Sequence, residues 1–252
     1  MTNQPVLAVE QLSLQIGGAR IIDDVSLSVP EGEMLGLIGP NGAGKTTLFN
    51  LISGIMRPTA GRIRLDDRDV TPDSVDKRAR AGLGRSFQTS NLFLGLTTFE
   101  NVRLAAQAAL GGALSPFRSP RRGDRSSVIA DERLAEVGLE RHTDTLTGGL
   151  SHGDKRKLEI AMLLAANPRV ILLDEPMAGV GSGDVPGLVE LIRRVHRQQG
   201  RTVLMVEHHM DVVLGLVDRV AVMHHGRLLA CDTPEVVMAD PVVQSAYLGD
   251  PV

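Results

Sequence analysis

The chain has 252 residues, enough for one α/β domain with a subdomain. Its 27 Lys+Arg are balanced by 30 Asp+Glu, and only 2% of residues are aromatic. This composition excludes the excess positive charge and the stacking surfaces of a dedicated nucleic-acid binder. The single cysteine, Cys231, excludes an internal disulfide and indicates a reducing compartment. With no signal-peptide pattern and no run of about 20 apolar residues, the expected place is the cytosol or the surface of a membrane-bound partner.

The N-terminal part predicts a sheet built from short strands. Val6–Val9 and Ser26–Val29 alternate or run apolar, as edge strands do. The turn Gly17-Gly18 and the pair Asp23-Asp24 lie between them. Arg62–Leu65 follows a turn rich in proline and glycine and predicts a further strand.

The rest of the chain predicts alternating helices and strands. Thr98 and Ser151 are candidate N-caps for helices over Phe99–Leu110 and up to Ala166. The remaining predicted elements are a helix over Val128–Val137, a strand over Val170–Leu173, a helix from Asp184 to Gln199, a strand over Thr202–Val206, a short helix from Met210, a strand over Arg219–Met223 and a helical tail. This alternation is typical of a parallel sheet, whose ligands gather at the carboxyl ends of the strands.

The segment from Gly39 to Thr46 fits the pattern G-x-x-x-x-G-K-[ST] between a strand and a helix. Its glycines allow backbone N–H groups to turn toward phosphate oxygens, and the helix N-terminus adds to that attraction. Lys45 would neutralise the β- and γ-phosphates, and the Thr46 hydroxyl would be a ligand of Mg²⁺. The alternative is a glycine-rich turn that caps an ordinary helix.

Asp174 and Glu175 directly follow the four apolar residues of a predicted strand. A carboxylate in that position can hold the Mg²⁺ shell, and the next one can act as general base toward water. The alternative is a strand that ends in two solvated acids. Gly39, Asp174 and His208 each follow an apolar strand, so the sequence predicts that they converge on one site.

The order of these motifs resembles the ATP-binding subunits of ABC transporters, and the likeness covers essentially the whole chain. The segments that carry it are the phosphate loop, Gln88, Leu150-Ser151-His152-Gly153-Asp154, Ile171-Leu172-Leu173-Asp174-Glu175-Pro176 and His208. The resemblance implies an α/β fold: a P-loop NTPase core of the ABC type with an N-terminal antiparallel β subdomain and an inserted α-helical subdomain. It implies a single domain over residues 1–252, with 1–87 and 156–230 as the ATPase core, 88–155 as the helical subdomain and 231–252 as a helical tail.

The resemblance also implies roles for individual residues. The catalytic residues would be Glu175, His208, Gln88 and Lys45, with Mg²⁺ held by Thr46, Gln88 and Asp174. ATP would contact Gly39, Pro40, Asn41, Gly42, Ala43, Gly44, Lys45, Thr46 and Thr47 of one copy, Ile16 beside the adenine, and the signature residues Ser151, His152 and Gly153 of a second copy paired head to tail.

Three residues depart from the family pattern. Asp154 replaces a glutamine and brings a carboxylate near bound phosphate, which is repulsive unless the carboxylate is turned away or paired. Gly181 replaces an Asp or Asn at the subunit interface. Ile16 occupies the place of an aromatic that stacks on adenine, and stacking contributes beyond the area it buries.

Within the family, the chain is most similar to the ATPases of branched-chain amino acid, urea and short-amide importers. The segments that indicate this branch are 36–50, 84–88, Leu158-Glu159-Ile160-Ala161, Ala178-Gly179, Glu207-His208 and Ala246-Tyr247-Leu248-Gly249. The expected function is therefore ATP hydrolysis that drives solute uptake at the inner face of the cell membrane. The expected partners are transmembrane permease subunits, a second identical or related ATPase subunit and, indirectly, a periplasmic solute-binding protein, with no nucleic acid.

Other functions remain open at the level of sequence. An exporter ATPase of the lipopolysaccharide type shares a similar segment after Glu175. A catalytically weakened regulatory module would agree with the three departures. A soluble ABC protein that acts on ribosomes or DNA usually has two cassettes or a long coiled-coil insertion, and this chain shows neither. The adjacent histidines at 208–209 and 224–225 suggest a metal site only weakly, since neighbours on a strand point to opposite faces.

Overall fold

The computed structural model describes residues 5–86, 92–111 and 123–248. These residues form two compact units. The first contains residues 5–85, 169–175 and 193–248, and the second contains residue 86 together with 92–111, 123–168 and 176–192. The predicted subdomain boundaries at 88, 155 and 231 stay a prediction.

The first sheet is antiparallel, with strand order β2-β1-β4-β5. Its strands are β1 (Pro5–Ile16), β2 (Ala19–Pro30), β4 (Ala60–Leu65) and β5 (Arg68–Asp69). The predicted strands Val6–Val9, Ser26–Val29 and Arg62–Leu65 thus lie inside the longer strands β1, β2 and β4. Asp23 and Asp24 do not separate strands as expected but belong to β2, where a register shift and a φ of 55° at Asp24 mark a local irregularity.

The second sheet has the order β10-β9-β3-β8-β7-β6. Its strands are β3 (Met34–Ile38), β6 (Leu83–Arg85), β7 (Val170–Asp174), β8 (Thr202–Val206), β9 (Arg219–His224) and β10 (Arg227–Asp232). All neighbours pair in parallel except β9 and β10. Every residue of β3, β7 and β8 is buried, as in a parallel sheet covered on both faces. The carboxyl ends of five strands therefore lie along one edge.

The helices are α1 (Lys45–Ser53), α2 (Val75–Arg80), α3 (Thr98–Ala109), α4 (Arg125–Glu136), α5 (His152–Ala165), α6 (Val185–Gln199), α7 (Met210–Leu214), α8 (Pro234–Ala239) and α9 (Pro241–Leu248). In the first unit, α1 packs against β2 of one sheet and β7 of the other, and its Leu48, Phe49 and Ile52 are fully buried. In the second unit, α3, α4 and α5 pack on one another.

Two expectations about the helical elements are wrong. The N-cap of α3 is Thr97, not Thr98, because Thr97 and Glu100 form a reciprocal capping box. Strand β10 replaces the start of the expected helical tail, and the tail's helices begin at Pro234. Among the described residues, no helix is both long and apolar enough to cross a bilayer.

Candidate functional site

The phosphate loop connects β3 to α1 through a backbone that requires glycine. Gly39 has φ 152°, and a Cβ there would lie 2.2 Å from the carbonyl oxygen of Met223 on β9. Gly44 has φ 100° at the N-cap of α1, and a Cβ there would lie 2.9 Å from the Ile22 side chain on β2. The loop therefore lies between the two sheets, against β9 of one and β2 of the other. The N-terminus of α1 faces this loop. Such a terminus attracts phosphate through its N–H groups and its dipole.

Lys45 lies across this loop with only 6% of its surface exposed. Its Nζ donates to the carbonyl oxygens of Gly39 at 2.6 Å and Pro40 at 3.0 Å. Burial lowers the pKa of Lys45, and the negative charge of Glu175 opposes this change. Asn41, Gly42 and Thr46 are exposed and Thr47 is half-buried, whereas Ala43 is buried. The ammonium group is thus held against the carbonyl oxygens of a loop whose residues 41, 42 and 46 are exposed.

The two predicted acids follow β7 in different environments. Asp174 is paired in register with Val206 and its side chain is 1% exposed. Glu175 has φ 48°, a left-handed conformation that is unusual outside glycine, and its N–H donates to the carbonyl of Val206 at 2.9 Å. The strand β8 therefore fixes the backbone of both acids.

His208 lies beside Glu175 because β7 and β8 are neighbours. Its Nε2 is 2.9 Å from Glu175 Oε1, and the Glu175 side chain is 21% exposed. The buried Glu207 accepts a hydrogen bond from the His208 N–H at 3.0 Å and lies 3.1 Å from His209 Nδ1. Glu207 thereby anchors the histidine that follows it. No group of His, Cys, Asp or Glu within the described ranges could by itself hold a metal ion.

Sequence reasoning missed Arg85 as a functional residue. Its Nη2 donates to Asp174 Oδ2 at 2.7 Å, and its side chain is 9% exposed. Its Nη1 donates to Asn50 Oδ1 at 2.8 Å and Ser53 Oγ at 2.7 Å on α1. No local pattern in the sequence points to this role, since Asp174 lies 89 positions beyond Arg85.

The signature segment belongs to the second unit and forms the start of α5. Ser151 caps this helix by accepting from the Asp154 N–H at 3.0 Å, as expected of its position. Ser151 Oγ also donates to Asp154 Oδ2 at 3.0 Å, and Lys157 Nζ donates to Oδ1 at 3.0 Å. Burial raises the pKa of Asp154, but the hydrogen bonds from Lys157 and Ser151 outweigh it and leave the pKa below its usual value. The unusual carboxylate is therefore paired within its own helix.

The remaining predicted site residues differ in their exposure, and one of them lies outside the described residues. Ser151 and His152 are exposed, whereas Gly153 is buried. A Cβ at Gly153 would lie only 2.7 Å from Asp184 Oδ2. Ile16 is 52% exposed at the end of β1. Gln88 lies outside the described residues. The structure thus brings Lys45, Asp174, Glu175 and His208 to one sheet edge of the first unit.

Comparisons with known proteins identify the family of the chain. The family described as ABC transporter matches residues 22–178, and the family described as branched-chain amino acid ATP-binding cassette transporter matches residues 227–252. The chain belongs to the ABC transporter family. This membership confirms the predicted P-loop ABC fold, nucleotide binding and ATPase activity.

Curated relatives and a solved structure that resemble this ABC transporter ATPase cover nearly all of its chain. LivG of Salmonella typhimurium, a high-affinity branched-chain amino acid transport ATP-binding protein, is 38% identical over 98% of this chain and 99% of its own. LptB of Acidithiobacillus ferridurans, a lipopolysaccharide export system ATP-binding protein, is 40% identical over 91% of each chain. The ADP conformation of MJ1267, an ATP-binding cassette of an ABC transporter, superimposes with a TM-score of 0.85 at 30% identity, covering 98% of this chain and 99% of the other.

Proposed function

We propose that this ABC transporter subunit hydrolyses ATP to energise the uptake of branched-chain amino acids or a related small solute. The observation that carries the proposal is the match of residues 227–252 to the branched-chain amino acid transporter family. This segment lies outside the shared ATPase region at 22–178, so it supports the branch independently of the motifs that all family members share. The 38% identity to LivG over nearly the full length supports the same branch.

The proposed chemistry is in-line attack of water on the γ-phosphate of ATP. The loop N–H groups from Gly39 to Thr47 and the Lys45 ammonium bind the phosphates and neutralise charge that develops in the transition state. Glu175 accepts the proton of the attacking water. His208, 2.9 Å from Glu175, orients that carboxylate and contacts the γ-phosphate. Ile16 lies beside the adenine.

The residues present fit Mg²⁺ that arrives with the nucleotide. Mg²⁺ prefers oxygen ligands and is usually bound by one or two carboxylates together with substrate phosphates. The exposed hydroxyl of Thr46 and the carboxylate of Asp174, whose Oδ2 is fixed by Arg85, supply such oxygens. Gln88 completes the proposed ligand set. When bound, the ion would offset negative charge on the phosphates of the nucleotide.

A complete site requires a second copy of this chain or a related ATPase subunit. Ser151, His152 and Gly153 of one copy close over the γ-phosphate that is held by the other. The pairing of Asp154 with Lys157 removes much of its repulsion toward phosphate. The exposure of Ser151 and His152 agrees with a contact across an interface.

The proposed membrane partners are permease subunits, with a periplasmic solute-binding protein acting through them. Among the exposed large apolar side chains of the second unit, three are more than half exposed: Phe93 at 56%, Leu94 at 55% and Leu146 at 57%. The Thr147 N–H donates to the Leu96 carbonyl and the Gly148 N–H to the Leu94 carbonyl, so the segments that carry these side chains are neighbours. Exposed apolar side chains on neighbouring segments suit contact with a protein partner.

The proposal is tested by uptake of labelled leucine, isoleucine and valine in the native host. A strain without this chain is complemented with the wild type or with Glu175→Gln. The proposal predicts that only the wild type restores uptake, with equal expression of both proteins shown by immunoblotting. Normal uptake in the deleted strain, with transport of all three amino acids intact, would remove the branched-chain assignment.

A second candidate is the ATPase of a lipopolysaccharide exporter, favoured by the 40% identity to LptB. The same strains separate the two functions. If the deletion leaves amino acid uptake intact and causes lipopolysaccharide to accumulate in the inner membrane, the exporter function is correct. Co-purification with permeases of either type gives the same distinction without genetics.

A further inference from the structure

Arg85, at the carboxyl end of β6, connects the strand that carries Asp174 to the helix that carries Thr46. Arg85 Nη2 donates to Asp174 Oδ2 at 2.7 Å, and Nη1 donates to Asn50 Oδ1 and Ser53 Oγ at 2.8 and 2.7 Å. Its guanidinium carbon lies 5.8 Å from the centre of the Phe49 ring. One planar side chain therefore contacts a strand end and a helix at once, which the compact ammonium of lysine does not reproduce.

The helix face that Arg85 contacts is the face that carries Thr46. Residues four and seven positions apart lie on the same side of an α-helix. Asn50 is four positions and Ser53 seven positions beyond Thr46. Since Thr46 is in the first turn of α1 and Asp174 ends β7, Arg85 fixes how this face of α1 is placed relative to the carboxylate.

We infer that Arg85 is a positioning residue for the metal, which holds the Asp174 carboxylate in a fixed relation to the Thr46 face of α1. The inference rests on the proposed metal-binding roles of Asp174 and Thr46. Arg85 acts through the carboxylate rather than on the nucleotide. Partners that orient a metal ligand in this way typically contribute about 10- to 100-fold to metal affinity.

A second buried arginine provides a matched control for a purely structural role. Arg78 is 1% exposed, and its Nη1 donates to the carbonyls of Leu51 and Ile52 at 2.6 and 2.7 Å. Its Nη2 donates to the carbonyl of Thr71 at 2.9 Å. Arg78 thus holds the same helix α1 without any of these bonds reaching Asp174. A loss of packing alone would affect variants of both arginines alike.

The experiment compares Arg85→Lys with Arg78→Lys in the full chain. Binding of a fluorescent ATP analogue is measured in EDTA and then as a function of added Mg²⁺, with thermal melting recorded for each variant. Arg85→Lys is expected to raise the Mg²⁺ concentration at half-saturation by about tenfold or more, with affinity in EDTA within about twofold of wild type. Arg78→Lys is expected to lower the melting temperature and leave the Mg²⁺ requirement unchanged.

Two further variants distinguish a failure of this inference from a failure of the metal assignment on which it rests. Ser53→Ala removes one Arg85 contact in a milder way and is expected to shift the Mg²⁺ requirement in the same direction by less. Asp174→Asn tests the proposed metal role itself and is expected to shift it at least as far as Arg85→Lys. A shift with Asp174→Asn but none with a folded Arg85→Lys would overturn the inference alone. No shift with Asp174→Asn would overturn the metal assignment on which it rests.

Discussion

Replacing Glu175 with glutamine tests the proposed general base most sharply. The Glu175 side chain makes a contact of 2.9 Å with His208 and remains 21% exposed. The amide has nearly the same size and keeps a group that can bond to the histidine. The ability to accept a proton is therefore the main property that the variant loses.

The expected magnitude follows from that single loss. A positioned general base contributes about 10²- to 10⁴-fold to a reaction rate. At about 1.36 kcal/mol for each factor of ten, this corresponds to about 2.7–5.4 kcal/mol in the activation free energy. Because Lys45 and the loop N–H groups are unchanged, ATP affinity is expected to stay within a few-fold of wild type. Loss of the negative charge of Glu175 would also reduce repulsion of the phosphates and so favour ATP binding.

The assay is single-turnover hydrolysis in the presence of the membrane partners, with ATP binding measured separately by calorimetry. Glu33→Gln is the matched control: this carboxylate is also largely buried, is paired with Arg219 at 3.1 Å and precedes β3, at the opposite end of the strand from the phosphate loop. Its turnover is expected to be within twofold of wild type. A Glu175→Gln rate within tenfold of wild type would refute the reasoning, as would a loss explained fully by weaker ATP binding.

Three further predictions concern the departures from the family pattern. Ile16→Tyr should tighten ATP binding by about 2- to 10-fold, since an aromatic pair contributes about 0.5–1.5 kcal/mol, as measured by calorimetry against Ile16→Val. Gly181→Asp should be tolerated, because a Cβ there meets nothing within 4 Å and φ is not left-handed, and it should increase the cooperativity of hydrolysis with ATP. Asp154→Asn should lower the free energy of unfolding by about 0.3–1 kcal/mol, because the variant loses a negative charge in the first turn of α5 and its ion pair with Lys157, seen by urea denaturation at neutral pH. The pKa of Asp154 is lowered in the folded state, so its contribution exists above its unfolded pKa of about 3.9 and disappears as the pH falls further.

Each of these predictions has a contradicting result. Equal ATP affinity of the Tyr and Val variants at Ile16 would remove that residue from the adenine site. A lower melting temperature for Gly181→Asp would show that the position does not accept a side chain. A stability difference for Asp154→Asn that persists undiminished well below pH 3 would exclude the ionised carboxylate as its source.

The sequence was sufficient for the elements that carry the chemistry. Strands β3, β7 and β8 are short, mostly apolar and wholly buried, and each ends at or within two residues of a predicted site residue, so parallel pairing brings those ends together. The phosphate loop followed from its glycine spacing. The structure adds the reasons for two glycines, since a Cβ at Gly39 or Gly44 would collide with neighbouring strands.

Other features depend on contacts that no local pattern records. Arg85 is separated from Asp174 by 89 positions, and only the pairing of β6 with β7 places them together. The edge strand β10 escaped prediction because its residues are mostly half-buried and lack a clean alternation. The Thr-x-x-Glu pattern of residues 97–100 indicates Thr97 as the N-cap, and the prediction placed the cap one residue too late, at Thr98.

The central claim is that two copies enclose ATP between the phosphate loop of one and the signature of the other. Asn41 and His152 are both exposed, and Cys231 is the single native cysteine. A Cys231→Ser, Glu175→Gln background carrying both Asn41→Cys and His152→Cys can therefore report their approach by oxidation. We expect a disulfide between two chains that forms with ATP and Mg²⁺ and not with ADP. Failure to link two chains under any nucleotide condition, with ATP bound, would contradict it.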